Sequence, residues 1–284
     1  MLTEHAPAKI NLTLRILGRR PDGYHELSSL VAFAACGDTL TVTPGPTFEL
    51  ISVGPYAPVI TGDNLVARTV ARAMAMEPRL VSGSFTLAKN LPVAAGLGGG
   101  SSDAAATIRL LRRLNPDMMK AIDWLGLARE LGADVPVCLH ARAAHMAGIG
   151  ERISPLAALP AVWVVLVNPG LPVSTAAVFE ALAAEPFEGQ AQPSVPTGFS
   201  DLRPLIAYLE PRQNDLEPPA IQLCPDISRV LAALTRTPGV LLSRMSGSGP
   251  TCLGLFATRH EASAARTRLV REHPDWWIGA AELT

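Results

Sequence analysis

The sequence has little lysine, few aromatic residues and no surplus of charge of either sign. Its 24 basic residues nearly balance 25 acidic ones, so the formal net charge is −1. This balance excludes an overall field that would attract nucleic acid or an anionic membrane. Because arginine is the default cation, each of the three lysines (Lys9, Lys89 and Lys120) marks a position where a compact ammonium can matter. An ordinary surface lysine is the alternative, and it fits Lys120 best.

Disulfide, metal and membrane signatures are also lacking. The four cysteines lie far apart without CxxC or Cys/His metal spacing, and no cleavable apolar leader follows Met1. The uncharged stretch Ile153–Phe179 is interrupted by prolines, which leaves Ala161–Val167, a run too short for a bilayer. We therefore expect a cytoplasmic protein with buried thiols at Cys36, Cys138, Cys224 and Cys252.

Residue patterning predicts a mixture of strands and helices. The predicted strands are Lys9–Leu17, Leu40–Thr43, Phe48–Val53, Ser84–Ala88, Val135–Leu139, Ala143–Met146, Ala161–Val167, Val240–Met245 and Thr251–Phe256. The predicted helices are Asn64–Met76 with Asp63 or Asn64 as N-cap, Ser101–Leu114, Met118–Leu131, Ser200–Leu209, Ile227–Leu234 and Glu261–Arg271. Since the two types mix without strict βαβ alternation, we expect two α+β domains, residues 1–157 and 158–284. Residues 184–213 carry no usable motif.

A glycine-rich loop before the Ala-rich helix is the strongest local signal. Its glycines allow close backbone approach to a ligand, and the following helix N-terminus, capped by Ser101, Ser102 or Asp103, favours an anion. The loop lacks both the Walker lysine and the acidic residue of a dinucleotide fingerprint. A plain glycine turn is the alternative. The residues predicted to hold phosphates are Pro92, Val93, Ala94, Ala95, Gly96, Leu97, Gly98, Gly99, Gly100, Ser101 and Ser102.

The loop resembles the ATP-binding loop of the GHMP kinase superfamily. This resemblance implies that the loop wraps the triphosphate of ATP, with Mg²⁺ bridging phosphate oxygens. The Mg²⁺ ligands are left unassigned, with Ser101, Ser102 and Asp103 as candidates. The resemblance also implies that Asn64 and Leu65 lie near the adenosine. The implied fold has an N-terminal ribosomal-S5-domain-2-like domain and a C-terminal ferredoxin-like α/β domain. Ala94 and Ala95 stand where some relatives carry glycine, which can stiffen the loop without blocking it.

Lys9 and Asp134 are a candidate catalytic pair. Phosphoryl transfer needs an oriented hydroxyl and stabilised charge, which a carboxylate beside a cation can supply. Singly, Lys9 could face solvent on an edge strand, and Asp134 could form a turn or cap a helix. Their segments PAKINL and GADVP, however, are similar to those of the diphosphocytidyl-methylerythritol kinase family. That resemblance implies that Asp134 is the general base, kept charged by Lys9, which also faces the phosphoryl oxygens.

The segment DGYHEL resembles the cytosine-binding segment of the same family. The resemblance implies that Tyr24 stacks on the base and His25 pairs with its polar edge; a core tyrosine and a surface histidine are the alternative. A shorter match, VSTAAVF, adds Thr175 and Phe179, and Asn11 is a further polar contact. A glycine turn near the C-terminus resembles the third GHMP motif, which closes beside the phosphate loop. Its residues are Gly247, Ser248 and Gly249, and a simple β-turn is the alternative.

Together these resemblances imply an ATP-dependent kinase of the non-mevalonate isoprenoid precursor pathway. Its acceptor would be the 2-hydroxyl of 4-diphosphocytidyl-2-C-methyl-D-erythritol. A homoserine or mevalonate kinase is an alternative that shares the glycine loop but not DGYHEL. A nucleotide-binding protein without turnover is the other alternative, against which the presence of both Lys9 and Asp134 argues. We expect a small-molecule substrate, neither nucleic acid nor membrane as partner, and a monomer or homodimer.

Overall fold

The computed structural model describes residues 1–59 and 64–284, so Asp63 lies outside the described part. The strands are β1 (Leu2–Asn11), β2 (Arg15–Arg19), β3 (His25–Gly45), β4 (Glu49–Val53), β5 (Ser82–Ala88), β6 (Ala144–Gly148), β7 (Arg152–Pro155), β8 (Trp163–Asn168), β9 (Val240–Met245), β10 (Cys252–Phe256) and β11 (Trp277–Glu282). The α-helices are α1 (Leu65–Met76), α2 (Gly99–Leu114), α3 (Trp124–Leu131), α4 (Val135–His140), α5 (Thr175–Leu182), α6 (Leu202–Leu209), α7 (Glu217–Leu223), α8 (Asp226–Thr235) and α9 (Arg259–Glu272). Among the described residues, no helix combines the length and apolarity needed to cross a bilayer.

The chain divides into two compact units that are discontinuous in sequence. Unit 1 contains Met1–Ala8, Gly37–Val93 and Gly98–Ala141. Unit 2 contains Lys9–Cys36, Ala94–Leu97 and Arg142–Thr284. The single domain boundary near residue 157 stays a prediction. The two units reflect contacts between residues, and each of them contains part of strand β3.

Unit 1 combines paired strands with four packed helices, α1 to α4. Strand β5 pairs antiparallel with residues 39–45 of β3 and parallel with β4. Helix α2 carries the apolar core, with Ala104, Ile108 and Leu111 fully buried. Asn64 caps α1 by accepting a hydrogen bond from the Val66 N–H at 2.8 Å, which confirms the predicted helix start.

Unit 2 begins with a small antiparallel sheet. Strands β2 and β6 both pair with the first part of β3, and β7 pairs with β6. Residue 18 is glycine because the segment after α5 crosses there: a Cβ at Gly18 would lie 2.7 Å from the Phe187 Cα. The backbone of Arg19 exchanges hydrogen bonds with Glu185 and Phe187, so the segment after α5 starts as an extra edge of this sheet.

The C-terminal part of unit 2 is a βαββαβ arrangement. Its sheet is fully antiparallel in the order β11-β8-β10-β9, the ferredoxin-like order, with α8 and α9 packed on it. The sequence of strand β8 is a continuous apolar run, as expected for a strand that is buried on both faces. Its fully buried residues are Val164, Val165, Leu166 and Val167. The predicted α+β class and the ferredoxin-like C-terminal part are confirmed.

The predicted strand Val135–Leu139 is wrong, because this segment forms the helix α4. Its two valines suggested a strand, but Pro136 decides the outcome. Proline has no N–H for a sheet ladder, whereas its fixed φ suits the first turn of a helix. The change matters for the site because it places Asp134 at the N-cap position of a helix.

Four other elements differ from expectation. The helix predicted for Met118–Leu131 begins only at Trp124, where Asp123 caps it through the Gly126 N–H. Helix α7 was missed because two prolines open it, and proline is acceptable in a first turn. Helix α5 and strand β11 carry no clear period in the sequence, and their packing in unit 2 determines them.

Candidate active site

The predicted phosphate loop adopts left-handed backbone conformations at three positions. The φ angles are 52° at Ala94, 72° at Gly96 and 59° at Gly98. Glycine adopts these angles freely, whereas an L-residue in this region costs about 1–2 kcal/mol. Ala94 therefore adopts a left-handed conformation that glycine would adopt at a lower cost. The sequence alone did not reveal this backbone strain.

Helix α2 begins at Gly99, two residues earlier than predicted. Its N-cap is Gly98, which makes no side-chain cap, so the predicted capping by Ser101, Ser102 or Asp103 is wrong. The first intrahelical bond joins the Ser102 N–H to the Gly98 carbonyl at 2.9 Å. The backbone N–H groups of the first turn therefore have no hydrogen-bond partner within the helix, which makes them suited to bind an anion.

A buried charge cluster lies beside the first turn of α2. The Lys89 ammonium donates to Asp38 Oδ2 at 2.5 Å and to Asp103 Oδ2 at 2.7 Å. Asp38 Oδ1 also accepts the N–H groups of Asn90 and Leu91. A Cβ at Gly99 would lie 3.2 Å from the Lys89 Nζ, so this cluster supports the start of the helix from within unit 1.

The charges of this cluster are strongly coupled. Burial raises the pKa of the Asp103 carboxyl to about 7, and the ammonium of Lys89 only partly offsets this effect. Burial alone would lower the pKa of Lys89, but the two carboxylates outweigh it and raise that pKa. Removing the lysine charge would leave two carboxylates buried together, which typically costs about 3–5 kcal/mol of stability. Lys89 is therefore a structural cation, and its rarity was the one sequence signal that pointed to it.

Two of the three candidate Mg²⁺ ligands are used elsewhere. Ser102 Oγ is buried and donates to the Pro7 carbonyl at 2.7 Å. Asp103 is held by Lys89 through Oδ2, while its Oδ1 is buried without a hydrogen-bond partner among the described residues. Magnesium usually keeps several waters and substrate phosphates as ligands, so a site with few protein donors is chemically adequate. Ser101, in the first turn of α2, stays a candidate protein ligand.

The predicted adenosine residues lie next to the first turn of α2. Asn64 caps α1 and Leu65 is the first residue of that helix. A Cβ at Gly100 would lie 3.3 Å from Leu65 Cδ1. Glycine at position 100 thus lets two helix starts approach each other within unit 1, which leaves both N-termini close to the same phosphate-loop segment.

Asp134 occupies the N-cap position of α4 but does not cap it through its side chain. The residue is half-buried, and α4 packs against α2 and α3 within unit 1. The side chain of Asp134 therefore does not cap α4, in contrast to the capping alternative raised by the sequence. Its role as general base stays a prediction.

The third glycine motif packs directly against the phosphate loop within unit 2. Ser246 Oγ donates to the Gly96 carbonyl at 3.1 Å. A Cβ at Gly96 would lie 2.4 Å from the Ser246 carbonyl oxygen, and one at Gly247 would lie 2.9 Å from the Gly96 carbonyl oxygen. The Thr251 N–H also binds the Ala95 carbonyl. Glycine is required on both sides because two backbone turns meet there.

Lys9 and Asn11 are neighbours on β1 and both are buried. Lys9 is 4% exposed and donates from Nζ to Asn11 Oδ1 at 3.3 Å, which excludes a solvent-facing lysine. Asn11 Nδ2 donates to Ser29 Oγ at 2.8 Å, and its N–H donates to Ser246 Oγ at 3.1 Å. The two predicted site residues therefore share a polar network with the third glycine motif.

The residues predicted to bind cytosine come together in part. The rings of His25 and Phe179 lie 4.6 Å apart at 31°, although they are remote in sequence. Thr175, one helical turn before Phe179 on α5, has its Oγ1 2.7 Å from Ser248 Oγ. Tyr24 is 59% exposed, so it does not pack in the core. Burial, and secondarily the charge of Arg19, lowers the pKa of His25, which favours its neutral form.

The predicted site residues thus form two groups, each assembled within its own unit. Unit 1 contains Asn64, Leu65, Pro92, Val93, Gly98, Gly99, Gly100, Ser101, Ser102 and Asp134. Unit 2 contains Lys9, Asn11, Tyr24, His25, Ala94, Ala95, Gly96, Leu97, Thr175, Phe179, Gly247, Ser248 and Gly249. Unit 1 therefore offers helix N-termini and a carboxylate, whereas unit 2 offers a cation, polar contacts and a tilted pair of rings.

Comparison with known proteins gives the same class for both parts of the chain. Residues 64–142 match the family described as GHMP kinases N terminal domain, and residues 197–275 match GHMP kinases C terminal. The 4-diphosphocytidyl-2-C-methyl-D-erythritol kinase of Parvibaculum lavamentivorans is 50% identical over 98% of this chain and 96% of its own length. A crystal structure of 4-(cytidine 5'-diphospho)-2C-methyl-D-erythritol kinase is 37% identical, covers 99% of both chains and has a TM-score of 0.80.

A homoserine kinase from Cytophaga hutchinsonii covers 98% of this chain and 92% of its own, with a TM-score of 0.61 at 17% identity. That likeness shows a shared fold alone. The chain is a GHMP kinase, as its two domain matches establish. Within that class it belongs to the 4-diphosphocytidyl-2-C-methyl-D-erythritol kinase family.

Proposed function

We propose that this chain transfers the γ-phosphoryl group of ATP to the 2-hydroxyl of 4-diphosphocytidyl-2-C-methyl-D-erythritol. This reaction belongs to the non-mevalonate route to isoprenoid precursors, and we place it in the cytoplasm, in a monomer or homodimer. Family membership supports the kinase activity. The observation that carries the choice of acceptor is the ring pair of His25 and Phe179.

The ring pair suits a flat nucleobase. A base gains contact area by stacking on an aromatic side chain, and the exposed ring of Tyr24 adjoins His25 in the sequence. His25 in its neutral form has one ring nitrogen that donates and one that accepts. Cytosine presents both an amino donor and a ring-nitrogen acceptor, so a neutral imidazole can pair with its edge. The hydroxyl groups of Thr175 and Ser248 lie 2.7 Å apart and can contact the remainder of the acceptor.

The proposed chemistry assigns a separate role to each charged group. The Asp134 carboxylate accepts the proton of the acceptor hydroxyl as that oxygen bonds to the γ-phosphorus, whose bond to the bridging oxygen breaks and releases ADP. Lys9 supplies positive charge to the phosphoryl oxygens, where negative charge increases in the transition state. Asn11, which accepts a hydrogen bond from the Lys9 ammonium, orients that charge.

The phosphate loop binds the nucleotide in this proposal. The N–H groups of the first turn of α2 and the positive end of the helix dipole favour the phosphates of ATP. When bound to those phosphates, Mg²⁺ would neutralise part of their charge, with Ser101 as its proposed protein ligand. The buried cluster of Lys89, Asp38 and Asp103 holds the start of α2 in place.

Specificity for cytosine provides the test of this assignment. We expect CDP to compete with the acceptor but not with ATP, and UDP to inhibit distinctly less. Uracil presents a carbonyl and an N–H where cytosine presents an amino group and a ring nitrogen. Each buried polar group left unpaired costs about 1–3 kcal/mol. Inhibition constants for CDP and UDP against each substrate measure this preference.

His25→Ala should raise the acceptor KM and reduce the preference for CDP over UDP, with the ATP KM little changed. His145 is a suitable control, because it is also half-buried in unit 2 and hydrogen-bonds Ser28 outside the ring pair. His145→Ala should keep the cytosine preference even if it lowers Tm. Equal inhibition by CDP and UDP in the wild-type enzyme would move the assignment to another GHMP kinase.

A further inference from the structure

Asn214 is a buried amide whose side chain is fully used on backbone groups. It is 2% exposed, and its Nδ2 donates to the carbonyls of Met245 at 2.9 Å and Gly247 at 2.8 Å. Its Oδ1 accepts the Leu216 N–H at 3.0 Å. Two of the three bonds thus hold the carbonyls that begin the third glycine turn, which we define as residues 245–249.

Residues near Asn214 also hold the same turn in place through hydrogen bonds. Glu217 Oε2 accepts the Met245 N–H at 2.8 Å. Arg244, 6% exposed, donates to the carbonyls of Leu12 and Leu209. Burial lowers the pKa of this arginine to about 10, so it remains charged at neutral pH. The segment around Asn214 is therefore a rigid support for the end of β9, built from buried polar contacts.

The turn that Asn214 holds touches both halves of the proposed reaction. Ser246 Oγ accepts the Asn11 N–H and donates to the Gly96 carbonyl in the phosphate loop. Ser248 Oγ contacts Thr175 on the helix that carries Phe179. A displaced turn would therefore displace the nucleotide loop and the acceptor helix together. The backbones at Gly96 and Ser246 are packed so closely that the loop could not keep its position if the turn moved.

We propose that Asn214 is a positioning residue that sets the affinity for both substrates by fixing the backbone of residues 245–249. This inference rests on the proposed role of the loop Pro92–Ser102 in binding ATP. Asn214 itself touches neither substrate. Its amide holds two carbonyls in place, and the turn transmits that position to Gly96 and to Thr175.

Asn115 provides a control with the same chemistry elsewhere in the fold. It is 4% exposed, its Nδ2 donates to the carbonyls of Val81 and Leu111, and its Oδ1 accepts the Val81 N–H. It follows the last residue of α2, about 24 Å along the helix from Gly99. Replacing either asparagine by aspartate keeps the size and the accepting oxygen but places a carboxylate against two carbonyl oxygens.

We expect both variants to have a lower Tm and only one to lose substrate affinity. Asn214→Asp should raise the ATP Kd, measured by titration calorimetry, and the KM of each substrate by about ten- to a hundredfold, since small displacements have effects of this size. The kcat at saturation should change much less. Asn115→Asp should leave Kd and both KM values within about twofold, because the hydrogen bonds of Asn115 join Val81 and Leu111 and none of them holds residues 245–249.

An unchanged ATP Kd in Asn214→Asp, or an equal loss in Asn115→Asp, would overturn the inference. If Asn214→Asp fails to fold, Ser246→Ala decides, because it leaves the support intact and removes only the hydroxyl between Gly96 and Asn11. That variant should raise the ATP Kd severalfold, and an unchanged Kd would again refute the proposal. If the wild-type chain binds no ATP at all, the proposed function fails instead, so the two failures are distinguishable.

Discussion

Asp134→Asn is expected to lower kcat by about 10³-fold while ATP affinity and Tm remain close to those of the wild-type enzyme. The amide has the same shape as the carboxylate but cannot accept the proton of the acceptor hydroxyl. Because the Asp134 side chain makes no capping bond to α4, the substitution removes no helix cap. Steady-state kinetics with both substrates, calorimetric titration of ATP and a thermal melt measure the three quantities.

Asp123→Asn is the matched control for this variant. Asp123 is also an N-cap residue of unit 1, and its Oδ1 accepts the Gly126 N–H at 2.9 Å. Asparagine caps helices as well as aspartate does, so this change should leave kcat, ATP affinity and Tm essentially unaltered. If Asp134→Asn retains activity within a few-fold of the wild-type value, Asp134 is not the general base.

Lys9→Met is expected to lower kcat by about 10²–10³-fold and to change the ATP Kd by less than about threefold. The charge of Lys9 matters most when negative charge builds on the phosphoryl oxygens, so its removal affects the transition state more than the bound ground state. Methionine fills a similar volume in this buried position. Removing the donor to Asn11 Oδ1 should also lower Tm, since an unpaired buried acceptor costs about 1–3 kcal/mol.

The other lysines separate this effect from a general loss of charge. Lys120 is exposed, so Lys120→Met should have wild-type kinetics and stability. Lys89→Met should instead lower Tm strongly, because Asp38 and Asp103 would lose their shared counter-ion. Equal losses in kcat and ATP affinity for Lys9→Met would make Lys9 a phosphate anchor rather than a group that acts in the transition state.

Short-range sequence signals predicted much of the fold. The strand β9 begins and ends where the alternation indicated, and Asn64 caps α1 as its position before an amphipathic helix suggested. Such features depend on a few neighbouring residues, which the sequence displays directly. One exception is α4, where two valines outweighed Pro136 in the prediction although proline is unsuited to a central strand.

Contacts between distant segments could not be predicted in the same way. The rarity of lysine singled out Lys89, but its carboxylate partners Asp38 and Asp103 lie 51 and 14 residues away, beyond the reach of local patterns. Asn214 carries no local signal, since its role depends on the position of Met245 and Gly247. Long-range polar pairs of this kind depend on the tertiary fold, which brings the partners together only after the strands and helices have packed.

Phosphoryl transfer from ATP to a set of acceptors tests the central claim most directly. The purified chain is supplied with ATP and Mg²⁺ and with 4-diphosphocytidyl-2-C-methyl-D-erythritol, homoserine or mevalonate, and the products are followed by phosphorus NMR. We expect phosphorylation of the cytidine-linked acceptor alone, at its 2-hydroxyl, and its loss in Asp134→Asn. Phosphorylation of homoserine or mevalonate instead, or ATP binding without transfer to any acceptor, would contradict the account.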